Sequence, residues 1–452
     1  MSSWRGIGAF ALSIALAWVA TAAAQVDAPL RFSAAPSRDA LFGDDLPGSQ
    51  KPASPSAGWQ GFIQGEVARN YRDPEHWSKA RVRLELTRRG QFSENVKWVI
   101  GGRVDYDAAY DRSSFYPPLV REDQRYEFSL RENYLDVTAG DLELRFGRQH
   151  IVWGEMVGLF FADVVSAKDL REFILPEFGQ LRIPQWAARA EYFKGNSKAE
   201  VIWIPVPSFD NIGKPGSDFF PQPLPVPSSF LPEDQPDRKL GNTNYGVRVS
   251  HLQDGWDVSG FYYHSVDAQP TFYRVSAPGD PLVFQPRHDK IDQVGGTLAK
   301  AFAGTVLKAE AVYTDGRKFN VTRPTQPDGL VPQDTLDYAI GLDFSLPRDI
   351  RFNVQFFQRV FFDHDPDIIP DKRENGFSVL LNGKPGPDLE AQALLIRSLN
   401  RSDWLFRPQL LWYFERNWRL ALGADIFSGP VTGAFGRYDQ NDRVYTEVRY
   451  SF

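Results

Sequence analysis

The sequence predicts an all-β chain that closes into a transmembrane antiparallel β-barrel of about 16–18 strands. Three observations carry this. Val444, Thr446, Val448, Tyr450 and Phe452 alternate with Tyr445, Glu447, Arg449 and Ser451 up to the last residue. Period-two alternation belongs to a strand. Termini are ordinarily frayed and polar, so a last strand ending on a large apolar residue suggests a sheet whose end pairs with its beginning. From Trp59 onward one unit recurs: an alternating run, a tight turn, a second run and a longer loop. The N-terminus, finally, reads as an export signal.

That signal occupies residues 1–24. Arg5 supplies its positive start, Ile7 to Ala20 is almost wholly apolar, and Ala22-Ala23-Ala24 offers small residues for cleavage before Gln25. The apolar run is short for a membrane span. Removing 24 of the 452 residues leaves 428, with 50 basic and 57 acidic side chains and a formal charge of −7. Residues 25–56, rich in Pro, Ser, Ala, Gly and Asp, read as a flexible periplasmic lead-in. Residues 57–452 form the barrel.

Composition agrees. Beyond the signal no uninterrupted apolar run reaches the length of a transmembrane helix. Aromatics make up 14% (34 Phe, 17 Tyr, 12 Trp), which suits aromatic girdles. The absence of Cys excludes disulfides, thiolate metal sites and Cys nucleophiles. The mildly acidic balance, without a basic block, excludes a nucleic-acid footprint.

Tight turns are expected at Arg88-Arg89-Gly90, Ala139-Gly140-Asp141, Lys194-Gly195-Asn196, Gln253-Asp254-Gly255, Leu346-Pro347-Arg348 and Glu415-Arg416-Asn417. The longer, Pro-rich links are expected near 207–240, 266–288, 317–333 and 363–374. Between them the faces separate cleanly. Val82, Leu84 and Leu86 oppose Arg81, Arg83 and Glu85; Leu142, Leu144 and Phe146 oppose Glu143 and Arg145; Trp418, Leu420 and Leu422 oppose Arg419. In Tyr126–Val137 the apolar set changes phase, which predicts a bulge. The parse gives 18 strands if Phe377–Leu381 is a short one and 16 if two weak segments merge.

A soluble sandwich would show the same alternation. The strand count exceeds the seven to nine of one sandwich, and with the terminal Phe and the signal it favours the barrel. The apolar sets then face lipid and the charged sets a wet lumen. Lumen-lining candidates are Arg81, Arg83, Glu85, Arg103, Asp105, Glu143, Arg145, Arg189, Glu191, Arg351, Arg407, Arg419, Asp425, Glu447 and Arg449, and the same parity adds Lys79, Arg248, Asp257, Glu310, Asp337, Asp343 and Glu390. The signs nearly balance. That argues against a strong ion filter and is consistent with cross-strand ion pairs.

Residues 150–182 change character. Ser166–Phe173 reads as a short helix with Ser166 as its N-cap and Asp169 at the third position. The segment is either a constriction folded into the lumen, with Trp153, Glu155, Asp169 and Arg171 on it, or a surface loop; the residues leave both open. Phe362-Asp363-His364-Asp365-Pro366-Asp367 gathers carboxylates but lacks the Gly and distal Glu of a calcium loop, so no metal site is assigned. The six His form no His-Glu-x-x-His, and there is no Gly-x-Ser-x-Gly, so no catalytic residue or cofactor is assigned.

Two resemblances extend this reading. The terminal strand resembles that of bacterial outer-membrane barrels, where a final Phe is a sorting mark; this implies the cell outer membrane, its lipids, and the barrel-assembly machinery as partner. Phe146-Gly147-Arg148-Gln149-His150-Ile151-Val152-Trp153-Gly154-Glu155, followed by Arg182-Ile183-Pro184-Gln185-Trp186, resembles the proteobacterial outer-membrane family labelled domain of unknown function 1302. Leu422-Gly423-Ala424-Asp425-Ile426-Phe427-Ser428-Gly429 and Phe435-Gly436-Arg437-Tyr438 are similar to it as well. The resemblance implies a porin-like channel for small molecules or lipid-like cargo, working beside an inner-membrane transporter. A non-conducting structural or adhesive barrel is the alternative, and an outer-membrane hydrolase a more distant one.

Overall fold

The computed structural model describes residues 58–112, 114–154, 156 and 161–452. The signal (1–24) and lead-in (25–56) lie outside the described residues.

Eighteen strands form one closed sheet. The first five are β1 (Gln60–Asn70), β2 (His76–Ser93), β3 (Val96–Asp107), β4 (Tyr126–Ala139) and β5 (Leu142–Gln149). After an inserted segment come β6 (Gln185–Lys194) and β7 (Ser197–Val206), then β8 (Asn244–Gln253), β9 (Trp256–Val266), β10 (Lys290–Phe302) and β11 (Thr305–Asp315). The rest are β12 (Thr335–Leu346), β13 (Ile350–Phe361), β14 (Arg373–Gly386), β15 (Leu389–Ser398), β16 (Trp404–Glu415), β17 (Trp418–Ser428) and β18 (Arg443–Ser451). Each pairs antiparallel with its neighbours in sequence, and β18 returns to β1 with Tyr450 opposite Ile63 and Val444 opposite Arg69. Gly61 and Phe452 exchange two backbone hydrogen bonds of 2.9 Å, so the last residue belongs to the ladder. Closure leaves no edge strand, the condition for crossing lipid with β-structure. No helix among the described residues is long and apolar enough to cross a membrane.

The alternation sorts as expected. Ile63, Val82, Val104, Val201, Val247, Val294, Ile340, Leu422 and Val448 all point outward and are exposed. Phe92, Trp256, Phe302, Trp412, Phe414, Trp418 and Phe452 ring the short-turn end, and Trp77, Tyr126, Trp186, Trp203 and Tyr245 the long-loop end. These are the girdles that such residues form at membrane interfaces.

The β3–β4 register shifts where Ile100 faces Asn133 but Gly102 faces Leu130, which is the bulge read from the phase change. Arg88-Arg89-Gly90 is not a turn. β2 runs on to Ser93 and turns at Glu94-Asn95, because Arg88 and Arg89 have ladder partners in Ile100 and Val99. Phe377–Leu381 is the middle of a 14-residue strand rather than a short one. Ser166–Phe173 is not a helix. Ala167–Leu170 is a short strand that pairs with Arg182–Ile183 and Asn211–Ile212. Ser166 Oγ donates to the Ile151 carbonyl instead of capping, and Arg171 takes the Asp169 carboxylate, so the features of a helix start are spent on tertiary contacts.

Candidate functional site: the lumen and its inward segment

The described residues between His150 and Pro184 fold into the barrel and follow its inner wall. The first stretch meets β6–β12. Trp153 is fully buried; its indole Nε1 donates to Glu200 at 3.2 Å, and its ring lies 5.1 Å from that of Phe261 and 5.8 Å from that of Tyr263. The ring fits because β8 carries Gly246 opposite it. A Cβ there would stand 2.8 Å from the indole and 2.9 Å from the Tyr262 carbonyl oxygen. Ile151, Ala162 and Val165 complete this contact against Ile202, Ile204 and Val312. The Ala162 amide donates to Glu310, and Met156 packs on Gly341.

The second stretch meets the opposite wall through charge. Glu172 accepts from Lys79, from Arg81 at 2.8 Å and from Arg443 at 3.2 Å. Glu177, deeper, accepts from Arg419 at 2.8 Å and Arg449 at 3.0 Å. Arg83 donates to the Gln180 side chain, Arg103 to the Gln180 carbonyl, and Arg131 to the carbonyls of Gly179 and Arg182. Arg407 donates to the Leu175 carbonyl, and Leu175 packs with Ile396, Leu405 and Phe427. Between Lys79, Arg81 and Arg83 of the wall and Asp169, Arg171 and Glu172 of the segment lies a polar cavity of about 30 Å³, room for about one water molecule.

Most of the wall charges are paired. Arg83 grips Asp105 by two bonds of 2.7 and 2.8 Å, Arg145 grips Asp136, and Arg359 grips Asp337. Arg103 joins Asp105 and Glu127; Arg189 joins Glu191 and Glu200; Arg407 and Arg443 share Asp425; Glu447 meets Arg419, Gln64 and Arg449; Lys308 meets Asp343. Glu85 faces Arg131 at 3.7 Å. Glu143 and Arg351 sit exposed at the short-turn end, in no ion pair among the described residues. On the inward segment, Asp169 and Arg171 pair with each other, and Arg171 also with Glu127. Glu155 lies outside the described residues.

Glu66, Glu172, Glu177, Gln180, Arg131 and Arg443 belong to this network but were not singled out in the sequence. The apolar inner patch was missed altogether. Its signal was present as lost alternation: Val201-Ile202-Trp203-Ile204, Phe261-Tyr262-Tyr263, Leu394-Leu395-Ile396 and Ile426-Phe427 are apolar on both faces. A strand reads so when both faces are covered. Here lipid covers one and the inward segment the other.

Outer loops brace the segment. Asp218, on the link after β7, meets His76 at 3.1 Å and the Tyr116 hydroxyl at 2.9 Å, while its neighbour Phe219 packs on Phe427 and Tyr438. Asp210 on the same link accepts from the Lys168 amide at 2.7 Å; burial pushes its carboxyl up to about 6, against the pull of Lys168. Asp365 and Asp367 hold Arg323 and Thr322 across two loops. The hydrogen bonds from Arg323 draw the Asp365 carboxyl down to about 2.

A family model described as a protein of unknown function (DUF1302) matches residues 68–367. No curated protein matches the chain. Among solved structures the barrel is similar to Acinetobacter baumannii OccAB1, with a TM-score of 0.53 and 9% identity over 87% of this chain and 95% of that one. OccAB3 of the same organism gives 0.50 and 9% over 87% and 98%, and OccAB4 gives 0.50 and 11% over 90% and 100%. At such identities the likeness is one of fold.

Proposed function

The chain belongs to the DUF1302 family, and from that membership and the lumen's geometry we propose that it is an outer-membrane channel narrowed by its own segment 150–184. The observation that carries this is the segment's placement. It contacts the wall from β2 round to β18, by apolar packing on one side and by Glu172 and Glu177 on the other. A closed barrel with a charged wall is a conduit, and the segment sets what passes. The mixed interior, charged along β1–β4 and apolar around Phe357, Ile396, Leu405 and Phe427, suits small amphipathic or lipid-like cargo better than a simple ion. An inner-membrane transporter would supply direction, and the Phe452 strand would engage the barrel-assembly machinery.

The small cavity between segment and wall favours a second reading, a barrel sealed by its own loops. Single-channel recording in planar bilayers separates the two. The channel reading expects a small ion current from the intact protein and a larger one after deletion of residues 161–178. Silence from both proteins, with their heat-resistant barrels intact, supports the structural reading and sinks the channel.

A further inference from the structure

We propose that Arg148 anchors a lipid-phosphate site on the outer surface of the barrel, in the headgroup layer at the long-loop end. β5 presents Leu144, Phe146 and then Arg148 to the outside. Directly opposite Arg148 stand Asn133 of β4 and Trp186 of β6. Trp186 is one of the girdle aromatics, and the nearby outward side chains Phe128, Leu130 and Phe146 are apolar and exposed. A guanidinium has therefore been placed in a lipid-facing belt, at the height where aromatic rings mark the headgroup boundary.

A cation in that position needs a counter-charge, since facing lipid is costly for arginine at depth and tolerable only near the interface. Among the described residues none is supplied. Arg148 Nε donates to the Leu130 carbonyl at 2.8 Å, and among the described residues no carboxylate oxygen lies within 4.0 Å of the guanidinium. The contrast with the lumen is sharp: Arg81, Arg83, Arg145, Arg189, Arg407 and Arg443 each hold a carboxylate.

The placement is also built by the backbone. Gly147 adopts φ 130°, and a Cβ there would stand 2.3 Å from the Asn133 carbonyl oxygen. This close approach, just past the β4 bulge, brings Arg148 over Leu130. With Nε committed to that carbonyl, the two Nη groups make no hydrogen bond among the described residues and remain as a free fork beside the outward side chains. Such a fork matches two oxygens of a phosphate. The ligand class is thus a phosphate ester carried by a membrane lipid, either lipid A or a glycerophospholipid.

Native mass spectrometry of the detergent-solubilised full chain tests this, with monophosphoryl lipid A, phosphatidylglycerol and a neutral diacylglycerol as probes. The intact protein should retain a phosphate lipid over diacylglycerol. Arg148→Gln should lower that retention by about tenfold, as losing one charge-assisted fork implies, while Arg148→Lys keeps part of it. Loss confined to lipid A assigns the site to lipid A; equal loss of both phosphate lipids assigns a general phosphate site. Equal retention by the intact and Gln proteins, both with heat-modifiable mobility, overturns the proposal.

Discussion

At the scale of single residues, the inward segment is held by fit as much as by charge. Trp153 occupies the space that Gly246 leaves, and the Tyr262 carbonyl closes that space from the other side. The barrier to a larger side chain is therefore partly backbone, which cannot rotate away. Gly246→Val should expel the indole from Glu200 and Tyr263, at about 1–3 kcal/mol, the usual cost of overpacking. Hydrogen exchange at residues 150–154 should rise while the strands of the barrel stay protected. Unchanged protection of 150–154 would show that Trp153 is not what seats the segment. None of this was legible beforehand. The sequence makes Trp153 a candidate for a constriction, but a glycine on a strand some ninety residues later carries no sign of its partner.

At the scale of elements, what could be read was whatever lipid dictates. Five of the six expected turns, the Pro-rich links, the β4 bulge and the outward sets all follow from one chain-local rule, that apolar and polar residues alternate when one face meets lipid and the other water. The segment 150–184 obeys no such rule. Its short strand Ala167–Leu170 exists because Asn211–Ile212 and Arg182–Ile183 flank it, so a local cap motif at Ser166 misled. The tie between the two links has a pH dependence. Asp210 titrates near 6 when folded and near 3.8 otherwise, so its contribution is complete below about pH 4 and is lost as pH rises through 6. Amides of 167–170 and 211–212, corrected for intrinsic exchange, should be better protected at pH 5 than at pH 7.5, on the order of tenfold. Asp210→Asn should flatten that dependence. A profile that instead rises with pH would contradict the assignment to Asp210.

At the scale of the whole molecule, the property that matters is closure, and it rests on the seam between β1 and β18. The alternation of Val444–Phe452 pointed to that seam, but the contacts divide the work between two residues in an unexpected way. Phe452 contributes mainly its backbone: its amide and carbonyl bond Gly61, while its ring is exposed and lies 6.0 Å from that of Tyr450. Gly61 contributes the space. A Cβ there would sit 2.0 Å from the Glu85 carbonyl oxygen of β2, so any side chain forces the first two strands apart beside the seam. Phe452→Ala should then leave the folded barrel nearly as stable as before, within about 1 kcal/mol, since an exposed ring buries little area. If the barrel-assembly machinery engages the terminal strand as proposed, its deficit should appear in the yield of assembled barrel in cells. Gly61→Val should fail later and more severely, giving membrane-targeted protein without heat-modifiable mobility, because backbone against backbone has no soft degree of freedom. Melting of refolded samples and the fraction of heat-resistant band distinguish these. If Phe452→Ala lost thermal stability while Gly61→Val kept it, the seam would be held by the terminal side chain and not by the ladder.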